Sequence, residues 1–210
     1  MNNEKKEAIN QMHKQRIIDT AEKLFLEKGV AKTTMDDIAK SADYSKSTLY
    51  VYFKGKDEIY HSIIYNSMKI LKECMRILIF PDMNIFERYY AACDALVDFQ
   101  EKYPFYFESI LGEIIVDEDT MKAQPVLYNI FLVGEEINEM MMQWIEDGIK
   151  EGVLREGIKL YQTVFVFWAS ISAIIRMFEQ KSYYLEKVHH ISKSEFLENS
   201  FEMLLQSILK

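Results

Sequence analysis

The 210-residue sequence predicts an all-α protein of about nine helices. Three observations lead there. Apolar residues recur at three- and four-residue spacing through most of the chain, no useful run alternates with a period of two, and breakers are sparse, with 7 Gly and 3 Pro. Hydrophobic residues at 49% and charged residues at 28% suffice for a folded core and exclude a disordered or fibrous chain.

The first helical period puts Ile17, Ile18, Ala21, Leu24 and Phe25 on one face and stops at Gly29, a residue suited to a helix C-terminus. A short second helix opens at Thr33-Thr34 and carries Met35, Ile38, Ala39 and Ala42, with Thr34 and Asp37 placed as a capping pair. Asp43-Tyr44-Ser45 reads as a tight turn, and Ser45 caps a third short helix with Leu49 and Phe53 facing inward. Lys54-Gly55-Lys56 breaks the chain again. Asp57-Glu58 then open a long fourth helix, where the macrodipole favours acidic residues.

Further along, Pro81-Asp82 ends one helix and Pro104 starts another. Asp117 to Gln124 reads as a polar connection, and Pro125 opens a helix running to about Gly152. Gly157 precedes a very apolar helix over 158–180. The last helix, 194–209, is amphipathic, with Phe196, Leu197, Phe201, Leu204, Leu205 and Ile208 on its inner side. The expected division is an N-terminal domain, 1–60, and a C-terminal helical domain, 61–210, joined through the fourth helix.

Cys74 and Cys93 lack CxxC spacing and a neighbouring His, and read as reduced, buried thiols. The polar opening Met1 to Glu7 is no signal peptide, and the longest apolar run, Val164 to Ile175, is too short for a membrane span. A cytoplasmic protein without a membrane partner, metal or cofactor is expected. The net charge of −8 argues against a nucleic-acid partner until its distribution is seen. Residues 1–60 carry 11 Lys and Arg against 10 Asp and Glu, whereas the remainder carries 14 against 23. A near-neutral N-terminal part can turn one basic face to phosphates.

Two short helices joined by a tight turn, with a first helix across them, place the third helix to enter a DNA major groove. Lys46 and Ser47 lie in its first turn, where Lys46 can donate to guanine or phosphate and Ser47 can pair with any base. Val51, opposite Leu49 and Phe53, is placed to touch a thymine methyl. Thr33, Thr34, Tyr50, Tyr52, Lys54 and Lys56 suit phosphate oxygens, as do the free N–H groups opening the fourth helix.

The run Thr33-Thr34-Met35-Asp36-Asp37-Ile38-Ala39, the turn, and then Ser45-Lys46-Ser47-Thr48-Leu49-Tyr50-Val51-Tyr52-Phe53-Lys54-Gly55-Lys56-Asp57 resemble the TetR family of bacterial transcriptional repressors over about residues 10–60. Ser47 departs from the usual Gly and Tyr52 from a common His. The expected DNA contacts are Thr33, Thr34, Ser45, Lys46, Ser47, Tyr50, Val51, Tyr52, Lys54 and Lys56. The resemblance implies a homodimer, double-stranded operator DNA as partner, and a repressor released when a small-molecule inducer binds the C-terminal domain.

That acidic domain is rich in aromatics and methionine, so an inducer pocket is expected between the helices of 86–112, 125–151 and 158–180. Phe107, Phe131, Met141, Trp144, Phe165 and Trp168 are the candidate lining residues for a largely apolar ligand. A cationic ligand is favoured if Glu113, Glu135 or Glu139 turns inward. The dimer contact is expected through 158–180 and 194–209, with Ala169-Ser170-Ile171-Ser172-Ala173 small enough for close helix approach. A rival reading is a di-iron carboxylate enzyme, since Glu58/His61 and Glu186/His189 both have the i, i+3 spacing. No nucleophile–base constellation or glycine-rich phosphate loop stands out, so an enzyme is not expected.

Overall fold

The computed structural model describes residues 3–113, 115 and 117–210. Among them are ten α-helices and a short 3-10 turn, one helix more than expected. In chain order these are α1 (Asn3–Lys28), α2 (Met35–Ala42), α3 (Lys46–Tyr52), α4 (Lys56–Met75), the 3-10 turn (Arg76–Ile79) and α5 (Ile85–Lys102). There follow α6 (Pro104–Ser109), α7 (Glu118–Ala123), α8 (Pro125–Lys150), α9 (Leu160–Val188) and α10 (Lys193–Gln206). The additional helix is α7, which Asp117 caps by accepting from the Thr120 amide at 2.8 Å within the segment read as a connection.

Contacts divide the chain into two compact units: residues 1–69 with 105–132, and 70–104 with 133–210. This grouping follows packing, whereas the division at residue 60 follows the expected roles, so the two lines need not coincide. In the first unit α1 packs on α2 and α2 on α3 around Ile17, Ala21, Phe25, Ile38, Leu49, Phe53, Ile59 and Ile63. Phe105 and Tyr106 of α6 pack against the same core, and the Tyr106 hydroxyl donates to Glu22 of α1 at 2.9 Å. Burial raises the Glu22 carboxyl above its ordinary value, and this hydrogen bond opposes the shift.

The second unit is built on α9, which packs along α10 and against α5. Its centre is aromatic. Tyr89 stacks on Trp144 at 5.6 Å, Phe167 meets both rings, and the buried Trp144 indole and Tyr89 hydroxyl donate to the carbonyls of Ile85 and Phe201. Burial pushes the Tyr89 phenol well above its usual range and the Cys93 thiol up to about 12, so neither ionises near neutrality. Cys74 is only half-buried rather than buried as expected, and its thiol is also raised, first by desolvation and then by Asp98.

Arg88, 7% exposed, holds three elements together. Its guanidinium donates to the carbonyls of Met83 and Leu78 and to Asp147 of α8 at 2.8 Å. Gly148 lets the chain fold back after α8: a β-carbon there would lie 2.6 Å from the Leu154 side chain, which is itself 1% exposed.

The apolar run Val164 to Ile175, expected to be too short for a membrane span, lies within the longer α9. By length and composition this helix is long and apolar enough to cross a bilayer, because it continues well past residue 180 and is apolar on more than its packed side. Only 28% of its most apolar window is buried within the chain.

Candidate nucleic-acid interface

The interface is assembled on the core of the first unit. Leu49 and Phe53 sink into that core and so force the other side of α3 outward. Val51 is 78% exposed and Tyr50 50%, with Lys46 and Ser47 also at the surface. An isolated exposed valine gains nothing from water, and here it sits among three groups able to make hydrogen bonds or ion pairs. The helix is fixed at its start by Ser45, whose hydroxyl accepts from the Thr48 amide at 3.1 Å and also meets the hydroxyls of Ser47 and Thr48. Ahead of it, Asp43 takes the left-handed conformation (φ 61°) that ends α2 and turns the chain into α3.

α2 begins with a complete capping box between Thr34 and Asp37. Lys28 and Thr34 hold the Asp37 carboxyl far below its ordinary value, Lys28 at 2.7 Å. The Thr34 hydroxyl donates to Asp37 and accepts from its amide, so it serves as a cap. Lys46 is held by Asp36 at 2.9 Å, and that hydrogen bond is the main cause of its raised pKa. Any guanine or phosphate must compete with this carboxylate for the lysine.

Three of the expected contact residues have partners within the module. Thr33 is 1% exposed, and its hydroxyl donates to the Gly29 carbonyl at 2.9 Å and weakly to that of Leu24, so it braces the turn after α1. Lys56 donates to the Val30 carbonyl at 2.7 Å. Tyr52 is half-buried against His13 of α1, their ring centroids 5.7 Å apart. Lys54 remains exposed, with its ammonium on the Ala123 carbonyl at 2.7 Å. At the opening of α4 the Glu58 carboxylate accepts from the Lys54 amide at 2.6 Å, so a negative charge already stands beside the first turn.

Reading the sequence did not find His13, Arg16 or Tyr44. The Tyr44 hydroxyl and His13 Nδ1 lie 2.5 Å apart, and the Arg16 guanidinium sits 5.2 Å from the centre of the Tyr44 ring. These residues pin α1 to the turn that leads into α3. No local spacing signals a pair 31 positions apart.

Of the expected pocket residues, Met141, Trp144 and Trp168 line one apolar cavity of about 20 Å³ in the second unit, with Tyr89, Cys93 and Phe167. Phe107 and Phe131 belong to the first unit. Phe165 is 43% exposed, on the outward side of α9 and stacked on Tyr161. The carboxylates invoked for a cation lie elsewhere. Glu113 and Glu139 are exposed, and Glu135 accepts from the Tyr161 hydroxyl at 2.5 Å and from Asn138.

The di-iron reading finds no site. Among the described residues no three His, Cys, Asp or Glu side chains gather as metal ligands. Glu58 is spent on the Lys54 amide, His61 is hydrogen-bonded to Gln124 at 3.2 Å, and His189 packs on Tyr184.

A buried three-helix core that presents one short helix, polar at its first turn and capped by serine, defines a helix-turn-helix DNA-binding module. The family model for bacterial regulatory proteins of the TetR family matches residues 17–63. The chain is 28% identical over 142 residues to the HTH-type transcriptional regulator YhgD of Bacillus subtilis, covering 68% of this chain and 72% of that protein. It is 27% identical over 191 residues to IcaR of Staphylococcus aureus, the HTH-type negative transcriptional regulator of the biofilm operon icaADBC, covering 91% and 96% of the two chains. A TetR-family regulatory protein from Rhodococcus RHA1 shares the fold with a TM-score of 0.69 at 17% identity, over 93% of this chain and 96% of that one. The chain is thus similar over residues 17–63 to the TetR-family model, and the relatives it resembles are named as transcriptional regulators.

Proposed function

We propose that the protein is a cytoplasmic homodimeric repressor that reads a two-fold-related operator with α3 and leaves it when a small apolar molecule enters its second compact unit. The observation that carries the DNA reading is the outward face of α3, where Val51 and Tyr50 stand exposed beside Lys46 and Ser47 over a fully buried Leu49. Val51 and Ser47 meet base edges, Lys46 exchanges Asp36 for a guanine or a phosphate, and Tyr50 and Lys54 reach the backbone. Repression is favoured over activation by the relative whose name describes a negative regulator.

The surface of α9 supports the dimer reading. Val166, Ala169, Ala173, Met177 and Tyr184 form one exposed row along it, and Met203 of α10 is also exposed. Such a row is costly in water and small enough at its centre for a partner helix. DNA selected from a random pool by the purified protein should converge on a sequence with two-fold symmetry, its half-sites about 34–36 Å or a multiple apart. Enrichment of no sequence, or of an asymmetric one, overturns the reading.

For the inducer, the cavity beside Trp144 and Trp168 holds little more than a water, so a ligand enters only by displacing side chains, and Met141 is the adaptable wall. Its lining carries no carboxylate, which favours a neutral ligand over a cation. A second reading rests on volume. A groove of about 690 Å³ between the end of α4, the 3-10 turn and α5, lined by Ile77, Phe80, Ala91 and Ala95, has the size of a small-molecule site without rearrangement. Trp144→Phe abolishes the inducer response if the cavity is the site, whereas Ala95→Leu abolishes it if the groove is.

A further inference from the structure

α1 begins at Asn3, well before the stretch matched by the family model at residue 17. Residues 4–12 are exposed throughout, so the helix runs beyond the core that anchors it. His13 is tied down through the Tyr44 hydroxyl and the ring of Tyr52. Both tyrosines flank α3, one in the turn before it and one in its last turn. The direction of the overhang is therefore fixed to the element that enters the groove.

The overhang is also electrically sided. At about 100° per residue, Lys5, Ile9, His13 and Arg16 fall in one row, with Lys6 beside it. Glu4 and Glu7 project from the opposite side. The row is the one turned towards Tyr44, since His13 and Arg16 both touch that ring. Lys5 and Lys6 lie some seven or eight residues before His13, roughly 10–12 Å further along the axis. Neither lysine has an ion-pair partner among the described residues.

We infer that the first turns of α1 are a second nucleic-acid contact, in which Lys5 and Lys6 neutralise phosphates flanking the major-groove site and the His13–Tyr44–Tyr52 cluster aims them. The inference rests on the DNA-binding reading of α3. It adds no base specificity, since two flexible ammonium groups carry none, but it lengthens the duplex the protein needs.

The test uses the full chain and its selected operator, comparing the native protein with Lys5→Gln/Lys6→Gln and, as the opposite-face control, Glu7→Gln. The slope of log affinity against log salt should shrink by about 0.9 for each lost phosphate contact, close to 2 in all for the double variant, with sequence preference unchanged. Glu7→Gln should not lower the slope. Trimming one helical turn of flanking duplex should weaken the native protein and leave the double variant unaffected. His13→Ala should shorten the required duplex in the same way while both lysines remain. An unchanged slope with native-like operator binding overturns the inference and leaves the α3 reading standing. Failure of the native protein to bind any duplex overturns both.

Discussion

Lys46 and Thr33 show how one side chain's partner decides its role. Both are polar residues at the edge of a helix-turn-helix, and their positions in the sequence suit DNA equally well. The structure gives Lys46 an exposed carboxylate it can release and gives Thr33 two main-chain carbonyls it cannot leave without exposing them. Thr33→Val should therefore cost stability, about 1 kcal/mol for the lost hydrogen bonds, and leave sequence preference intact. Thermal unfolding and operator titration of the same variant separate the two effects. Lys46→Ala should lose about 1–3 kcal/mol on the operator and blur one position if the lysine reads a base. Tyr50→Phe should weaken all sequences alike; equal losses on every sequence for both variants would make Lys46 a phosphate contact. The inward and outward sides of α3 were legible because they follow the helical period. The partners of Thr33, Lys56 and Tyr52 were not, because they depend on where α1 and the loop after it cross the module.

At the scale of elements, what the sequence concealed was mostly length. α7 is six residues long and needs its Asp117 cap to be read as a helix rather than a connection. α9 continues to Val188 because nothing between 180 and 188 breaks it, although its later residues are polar enough to look like linker. The joint between α5 and α8 yields a pH prediction. Burial alone would raise the Asp147 carboxyl, but the hydrogen bonds from Arg88 and Gln143 overcome it and hold the group below its ordinary 3.8. A carboxyl depressed in the folded state stabilises above its unfolded value, and that contribution is lost as pH falls through the folded one. Stability of the native protein should therefore decline below about pH 4 by an amount that Asp147→Asn does not show. At neutral pH the same variant should be less stable by about 1.5–3 kcal/mol, since Arg88 keeps its carbonyl partners and the more distant Glu151 at 4.0 Å but loses its closest carboxylate. Denaturant titrations at pH 3 and pH 7 check both signs.

For the whole molecule, the proposed dimer can be tested at the exposed row on α9. Val166→Glu should place a charge within the proposed dimer contact and yield a monomer by sedimentation at micromolar concentration, with α-helical content retained. Operator affinity should fall with it, because one recognition helix alone forfeits the second half-site. A native protein that sediments as a monomer would remove the basis for this expectation. The helical class, the helix-turn-helix and the closing helices were legible from period and breakers. The inducer site was only partly so, since aromatic and methionine residues supply core and pocket from the same pool: Met141, Trp144 and Trp168 converge, whereas Phe165 faces out.

The fold-back at Gly148 carries a genetic consequence. Its backbone is ordinary helix, unlike that of Gly29, Gly152 and Gly157, whose φ values are positive. At those three positions Asn and Asp are the tolerated replacements, because the demand is conformational. At Gly148 the demand is for space, and no side chain of any chemistry meets it while Leu154 stands 2.6 Å from the missing β-carbon. A saturation library should lose every allele at codon 148. Gly148→Ala should reappear only in clones that also carry a smaller residue at 154, so an intragenic suppressor is expected six residues away.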